Sequence, residues 1–408
     1  MTQPAPASST LGRIARGNLC SGCGACAAIA PKAIDMQVSG AGFLRPRQTE
    51  TLTPDQDHRI ADACPGLGLQ LSPGDRSEHM LWGPYISVYS GHATDATLRH
   101  QASSGGALSA LLIHLLESGT VDRVLQTGAD PDLPIGNRNV LNEAQAEVFA
   151  SAGSRYAPSA PLAAIAPLLD TDLRIAFVGK PCDVAALRAL ARTDPRINQR
   201  FPYMLSFFCA GVPSLNGARE VLNRLDVTEQ ELSSFRYRGD GWPGFATATK
   251  ANGEQARMSY ADSWGGVLSR HVQFRCKICP DGTGTFADVV CADAWEADAR
   301  GYPVFGERDG ISLVMSRTEK GENLINAARS AGKLTVSQFD IDTLNTIQPG
   351  QRDKRRLTLS RLAALFITLR PRPAFRGFHL WKNARQASPS ALAKNFLGTL
   401  KRIVTGKI

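Results

Sequence analysis

Three cysteines stand at three-residue intervals in LCSGCGACAAIAPKAI, at positions 20, 23 and 26. Proteins that carry two cubane iron–sulfur clusters hold them with C-x2-C-x2-C-x3-C-P, in which the fourth cysteine serves the other cluster. Here Cys20, Cys23 and Cys26 fill the first three places, and Ala30-Pro31 takes the fourth. One other cysteine lies in the first 80 residues, Cys64 in DACPG, again followed by proline. Four thiolates suffice for one cubane. The pattern therefore predicts a single [4Fe-4S] cluster on Cys20, Cys23, Cys26 and Cys64, with a second N-terminal cluster lost. The alternatives are a four-cysteine zinc knuckle, which usually shows two C-x2-4-C pairs, and unliganded core cysteines.

Four more cysteines fall at loops further along. Cys182 lies in FVGKPCD, Cys209 ends MLSFFC, and Cys276 and Cys279 form RCKICP. Strand ends on one edge of a parallel sheet meet at a common crevice. The four thus make a candidate second thiolate site, against a smaller zinc or redox site on the C-x2-C pair. Cys291, in ADVVCADAW, reads as buried and inert.

QASSGGALSALL puts Ser103, Ser104, Gly105 and Gly106 at a helix start. Free N–H groups and the positive dipole end there suit a phosphate; a plain N-cap is the other reading. Ser154, Arg155 and Tyr156, after Gly153, offer a hydroxyl, a cation and an aromatic face. Arg236, Arg238 and Trp242 in FRYRGDGWPG are candidates to hold a planar anion, or else belong to a solvated turn. Lys180 beside a strand end is a candidate to stabilise an anionic reduced flavin.

The elements that must position these groups alternate from residue 86 onward. ISVYSGHA, VDRVLQTG, LRIAFVGK and YMLSFFCAG read as strands. SSGGALSALLIHLLESG, PLAAIAPLL, CDVAALRAL and LNGAREVLNRL read as helices. Such alternation argues an α/β domain with a mainly parallel sheet and helices on both faces. Asn252-Gly253 between two alternating runs predicts a hairpin. G-x-x-x-x-G-K-[ST] does not occur.

The chain has 408 residues, 43% hydrophobic and 20% charged, and suits a globular protein of two or three domains. No signal peptide or apolar run of membrane-spanning length is visible, so nine cysteines point to a reducing, cytoplasmic setting. The net charge of +9 is segregated. From Gln351 onward fourteen Lys or Arg face one acid, Asp353, so this tail carries +13 and the remainder −4. ALAKNFLGTLKRIV sets Leu392, Phe396, Leu400 and Ile403 on one helical face, with Lys394, Lys401 and Arg402 off it. Three readings stand: peripheral contact with anionic lipid, docking of an acidic ferredoxin, or packing against the body. No aromatic–basic platform supports nucleic acid.

Taken together, CSGCGAC, SSGGALSALL, GSRYAPS, FVGKPCDVAAL, FFCAGVPS, RCKICPDG and ADVVCADAW resemble the coenzyme F-420 hydrogenase/dehydrogenase beta subunit family, from about Leu19 to about Trp295. Relatives of that family include 7-hydroxymethyl chlorophyll a reductase and ferredoxin-dependent divinyl chlorophyllide reductase. The resemblance implies FAD, iron–sulfur clusters and exchange between a one-electron carrier and a two-electron substrate. It also implies the grouping of Cys182, Cys209, Cys276 and Cys279 as ligands of a second [4Fe-4S] cluster. The chain departs from the family at two places. The usual Gly-Thr-Pro-Cys-Gln loop is Gly179-Lys180-Pro181-Cys182-Asp183, and a usual Gly-Asp is Ala292-Asp293.

The expected organisation is a loose lead (1–18), a small ferredoxin-like [4Fe-4S] domain (19–80), a catalytic FAD and iron–sulfur α/β domain (81–350) and a basic helical tail (351–408). The expected function is a flavin- and iron–sulfur-dependent oxidoreductase working with ferredoxin or a similar carrier. A non-catalytic electron-transfer subunit of a larger complex is the competing reading, and a zinc-stabilised binding protein a third.

Overall fold

The computed structural model describes residues 8–296, 298, 304 and 306–406. An eight-stranded mixed sheet forms the frame. Its order is Leu334–Gln338, Ser87–Ala93, Ser312–Ser316, Val289–Asp293, Tyr203–Phe207, Ile175–Val178, Arg123–Ala129 and Asn137–Asn142. The fourth to seventh strands, from Val289–Asp293 to Arg123–Ala129, run parallel. Every other pairing is antiparallel. The expectation of a mainly parallel sheet is thus corrected: parallel pairing is confined to the centre. At the Asn137–Asn142 edge the physical cause is connection length. The seven residues 130–136 between Ala129 and Asn137 are too few for a crossover helix, so the chain returns antiparallel.

Residues alternate between two cores along the central strands. Ile175 and Phe177 join the core beneath helix Pro181–Leu190, while Ala176 and Val178 join the one beneath helix Ala107–Glu117. Helices therefore cover both faces, as period-2 burial on each side requires. The Asn252-Gly253 hairpin forms between Phe245–Lys250 and Gln255–Ser259, with Gly253 at φ +87°, and a third strand, Leu232–Arg236, extends it.

The lead is not wholly loose. Residues 1–7 lie outside the described part, but Ser9–Arg16 is a helix capped by the Ser8 hydroxyl, and it buries Leu11 and Ile14. Next come the short helix Ala25–Ile29, an antiparallel hairpin Ile34–Val38/Leu44–Gln48, and helix Pro54–Ala63 with a Thr53–Gln56 capping box. The tail contributes helices Pro349–Ile367 and Pro389–Val404 and a strand, Ala374–Arg376, that pairs in parallel with Gly68–Gln70.

One apolar cluster contains Leu19, Cys23, Ile60, Phe177, Leu187, Leu365 and Ile403, with Phe396 packed on it. The N-terminal region, one sheet face and the tail share this core. Of the three readings of the tail, packing against the body is the one observed. The face offered for lipid is corrected, because Ile403 is buried and Phe396 turns inward. No helix among the described residues is long and apolar enough to cross a membrane.

Candidate functional site

The first cysteine set comes together. Cys20, Cys23, Cys26 and Cys64 line one small cavity walled by Leu11, Ile14, Ile29, Met36 and Ile60. The run supplies three of them because Gly22 and Gly24 take positive φ, turning the chain around the cavity. Cys64 is the C-cap of helix Pro54–Ala63. Its approach depends on Gly66, where a Cβ would stand 2.4 Å from the Leu19 carbonyl oxygen. Burial pushes the Cys23 thiol up to about 12, with Cys64 and Asp183 adding to it. Burial likewise pushes the Cys64 thiol up to about 11, with Cys20 contributing. Four thiols that repel each other's ionisation in an apolar pocket are a donor set that a cationic iron–sulfur core would discharge.

The second set also converges. Cys209 lies just past the end of Tyr203–Phe207, Cys182 in the first turn of Pro181–Leu190, and Cys276 in the short helix Phe274–Lys277. The Cys279 amide donates to the Cys276 carbonyl at 3.3 Å. Burial pushes the Cys209 thiol up to about 12, with Cys276 and Cys279 among the causes. Cys182 rises for the same first reason, and Cys276 and Cys209 add to it. Gly211, at φ +141°, leaves room for Cys276: a Cβ there would be 3.2 Å from the Cys276 Cβ.

Each cysteine set offers four free thiols, the donor type and number that a cubane cluster takes.

A cavity of about 310 Å³ opens beside the second set, and Cys209 lines it. Ser103, Ser104, Gly106, Ser154, Tyr156 and Lys180 line it too. The Ser154 hydroxyl donates to the Ser103 hydroxyl at 2.7 Å. Gly105 does not reach the cavity. It is pressed between strands, where a Cβ would meet the Ser312 nitrogen at 2.6 Å and the Gly91 oxygen at 2.7 Å. Its missing side chain serves sheet packing.

Arg155 borders the cavity, but its guanidinium is spent on structure. It donates to Asn137 Oδ1 and to the carbonyls of Phe235, Pro134 and Gly136. Arg236 lies outside the lining; it bonds the carbonyls of Gln101 and Ala152 and pairs with Asp240 at 2.9 Å. Arg238 lines the cavity, clamped to Asp293 by two bonds of 2.8 Å and stacked over Tyr260 and Trp295. Trp242 Nε1 also donates to Asp293, at 2.9 Å.

The two departures at the Cys182 loop explain each other. Lys180 Nζ lies 2.7 Å from Asp183 Oδ2 and donates to Ser159 Oγ at 2.7 Å. The same carboxylate accepts from the Lys180 backbone N–H, capping the helix that carries Cys182. Burial works against the Lys180 ammonium, but Asp183 and then Cys182 more than offset it, so it stays charged at the cavity wall.

Sequence reasoning missed Gln126. It is 8% exposed on strand Arg123–Ala129 and lines the cavity, and its Nε2 has no partner. A lone amide inside the apolar run RVLQTG was the available signal. Cys291 is buried mid-strand as expected, and also lines the cavity.

Comparison with known proteins gives consistent results. Residues 88–166 match the N-terminal part, and residues 172–342 the C-terminal part, of the coenzyme F420 hydrogenase/dehydrogenase beta subunit. The second cysteine set falls inside that span; the first set and the tail fall outside it. The chain is 26% identical over 291 residues to the coenzyme F420 hydrogenase subunit beta of Methanococcus voltae, covering 69% of this chain and 93% of that protein. It is 25% identical over 252 residues to the F420-dependent formate dehydrogenase subunit beta of Methanocaldococcus jannaschii, covering 60% of each. It is 22% identical to the coenzyme F420-dependent sulfite reductase of the same organism, covering 81% of this chain and 49% of that protein, about half its length. Its fold matches a chain of the F420-reducing [NiFe] hydrogenase complex of Methanosarcina barkeri, with a TM-score of 0.51, 20% identity, and coverage of 69% of this chain and 96% of that one. With its second cysteine set and all but two of its cavity-lining residues inside the matched span, the chain belongs to the coenzyme F420 hydrogenase/dehydrogenase beta subunit family.

Proposed function

We propose that this chain is a flavin- and iron–sulfur-dependent oxidoreductase that exchanges electrons between a one-electron carrier such as ferredoxin and a two-electron substrate. The observation that carries this reading is the position of Cys209, which belongs to the second cysteine set and also lines the large cavity. A redox group on the cysteines and a planar cofactor in the cavity would then be neighbours. FAD, when bound, supplies conversion between single electrons and a hydride, and the cluster sites supply one-electron chemistry.

The chain's own residues define what the cavity does. The Ser103 hydroxyl and the free amide of Gln126 offer donors to a polar ligand, and Ser154, by donating to Ser103, orients that hydroxyl. Lys180, fixed by Asp183 and Ser159, keeps a positive charge at the wall and favours whatever carries negative charge there. Arg238, pinned by Asp293, holds the Tyr260 and Trp295 rings as an aromatic side to the cavity. The relatives carry coenzyme F420 in their names, so a planar hydride carrier is the substrate class to test first. Kinship with the chlorophyll reductases rests on sequence motifs alone.

A second reading is favoured by the fold match to one chain of a hydrogenase complex: the protein passes electrons within an assembly and reduces nothing alone. Anaerobically purified protein tests both. Extractable FAD with broad visible iron–sulfur absorption is expected; a colourless, zinc-containing protein overturns the proposal. Reduction of coenzyme F420 by the isolated chain, given reduced ferredoxin, selects the catalytic reading over the subunit reading.

A further inference from the structure

We propose that Arg275 is a counter-charge shared by the two cysteine sets, and that Gln273 ties the sets together, making them one electrostatic unit. This rests on the reading above that both sets hold clusters.

Both side chains are almost fully buried, Gln273 at 3% and Arg275 at 1% exposure. Gln273 stands at the N-cap position of the short helix that carries Cys276, its side chain free of the helix end. Its Nε2 donates to the carbonyl of Ser21, between Cys20 and Cys23, at 3.1 Å, and contacts Cys276 Sγ at 3.4 Å. Its Oε1 accepts from Arg45 at 3.1 Å. One amide group therefore touches both sets.

Arg275 makes a second bridge. Its Nη2 donates to the carbonyl of Pro65, next to Cys64. It sits beside Cys276 on the short helix Phe274–Lys277, and its charge acts on Cys279, Cys182 and Cys276 as well as on Cys20 and Cys64. The guanidinium lies over the Phe375 ring at 5.3 Å, and its Nε has no partner. Arg155, by contrast, spends its donors on carbonyls and a side-chain amide that tie loops together.

Other cations act on one set each: Arg45 on Cys20, and Lys180, Lys354, Arg355 and Lys277 on the second set. Two anionic centres in a dry interior need compensation, and hydrogen bonds to sulfur and nearby charge tune cluster potentials. A positive charge between two such centres favours the more negative, reduced form of each. Being shared, it moves both potentials in the same direction.

The test uses the full-length chain, reconstituted anaerobically and titrated redox-potentiometrically by electron paramagnetic resonance. In Arg275→Met and Arg275→Gln both midpoint potentials should fall together at unchanged iron content, and Arg275→Lys should restore both. Movement of one potential alone, or of neither, overturns the shared role. Should the neutral variants fail to fold, the unsubstituted protein labelled with nitrogen-15 arginine decides. Arginine nitrogen coupling is expected at both cluster signals, and its absence at either overturns the proposal. A chain that takes up no iron defeats the cluster reading itself and with it this inference. That failure registers as metal content rather than as a shifted potential.

Discussion

Single atoms decide how closely the candidate cofactor residues approach one another. Gly66 has ordinary φ but no room for a Cβ, because the Leu19 carbonyl would lie 2.4 Å away. Gly66→Ala should push the Cys64 loop off the cavity and remove about four iron atoms per chain, read by iron analysis. Gln126 has no partner for its Nε2, so Gln126→Leu breaks no bond within the protein. Losing one hydrogen bond of about 1 kcal/mol to a ligand should weaken FAD binding several-fold with unchanged thermal stability. Flavin fluorescence titration measures the first and a melting curve the second. Cys291 is pushed up to about 12 by burial. A raised thiol pKa means the neutral, unreactive form prevails well above the ordinary value, so native Cys291 should resist alkylation at about pH 8 and react on unfolding. Rapid labelling of native Cys291, read by peptide mass mapping, would refute this.

The C-terminal helix shows how amphipathicity leaves its partner unspecified. Leu392, Phe396, Leu400 and Ile403 share a face at helical spacing, and lipid, a partner and the body all satisfy that pattern. The body wins because helix Pro349–Ile367 presents Leu362 and Leu365 to the same cluster as Ile403, and Arg361 holds Asn395 at 2.8 Å. Ile403→Ala should therefore cost about 2–4 kcal/mol in chemical denaturation. Removing residues 388–408 should lower stability and deplete iron from the first site, because that core also contains Cys23 and Leu19. A truncated protein that keeps full iron and its melting temperature would show the helix to be dispensable.

The whole molecule is arranged as a line of sites. The first cysteine set lies in the N-terminal region, the second at the parallel centre of the sheet, and the cavity beside it. Strand ends at a parallel centre open onto a common crevice, which is why Cys182 and Cys209 come together although they stand 27 positions apart. Loaded protein should contain about eight iron atoms per chain, four from each set. Cys209→Ser should remove about half of the iron and disturb the flavin spectrum, because Cys209 alone among the second set lines the cavity. Full iron with an unaltered spectrum would break the link between cluster site and cavity.

Cysteine spacing was enough to group the first four cysteines, because three of them within seven residues share one local turn and the remote Cys64 was the single candidate left in that region. Helix and strand periodicities likewise foretold the α/β frame and the Asn252-Gly253 hairpin, since those signals are local. Three other features lay beyond local sequence. Which strands run parallel depended on the crossovers between them, and the tail's partner depended on which apolar surface stood opposite. The buried pair of Gln273 and Arg275 shows the limit most plainly. They look like ordinary polar residues beside a C-x2-C motif, and their partners Ser21 and Pro65 stand more than 200 residues away. Residue type and spacing cannot carry that information, because burial and charge are set by contacts between segments that meet only when the chain has folded.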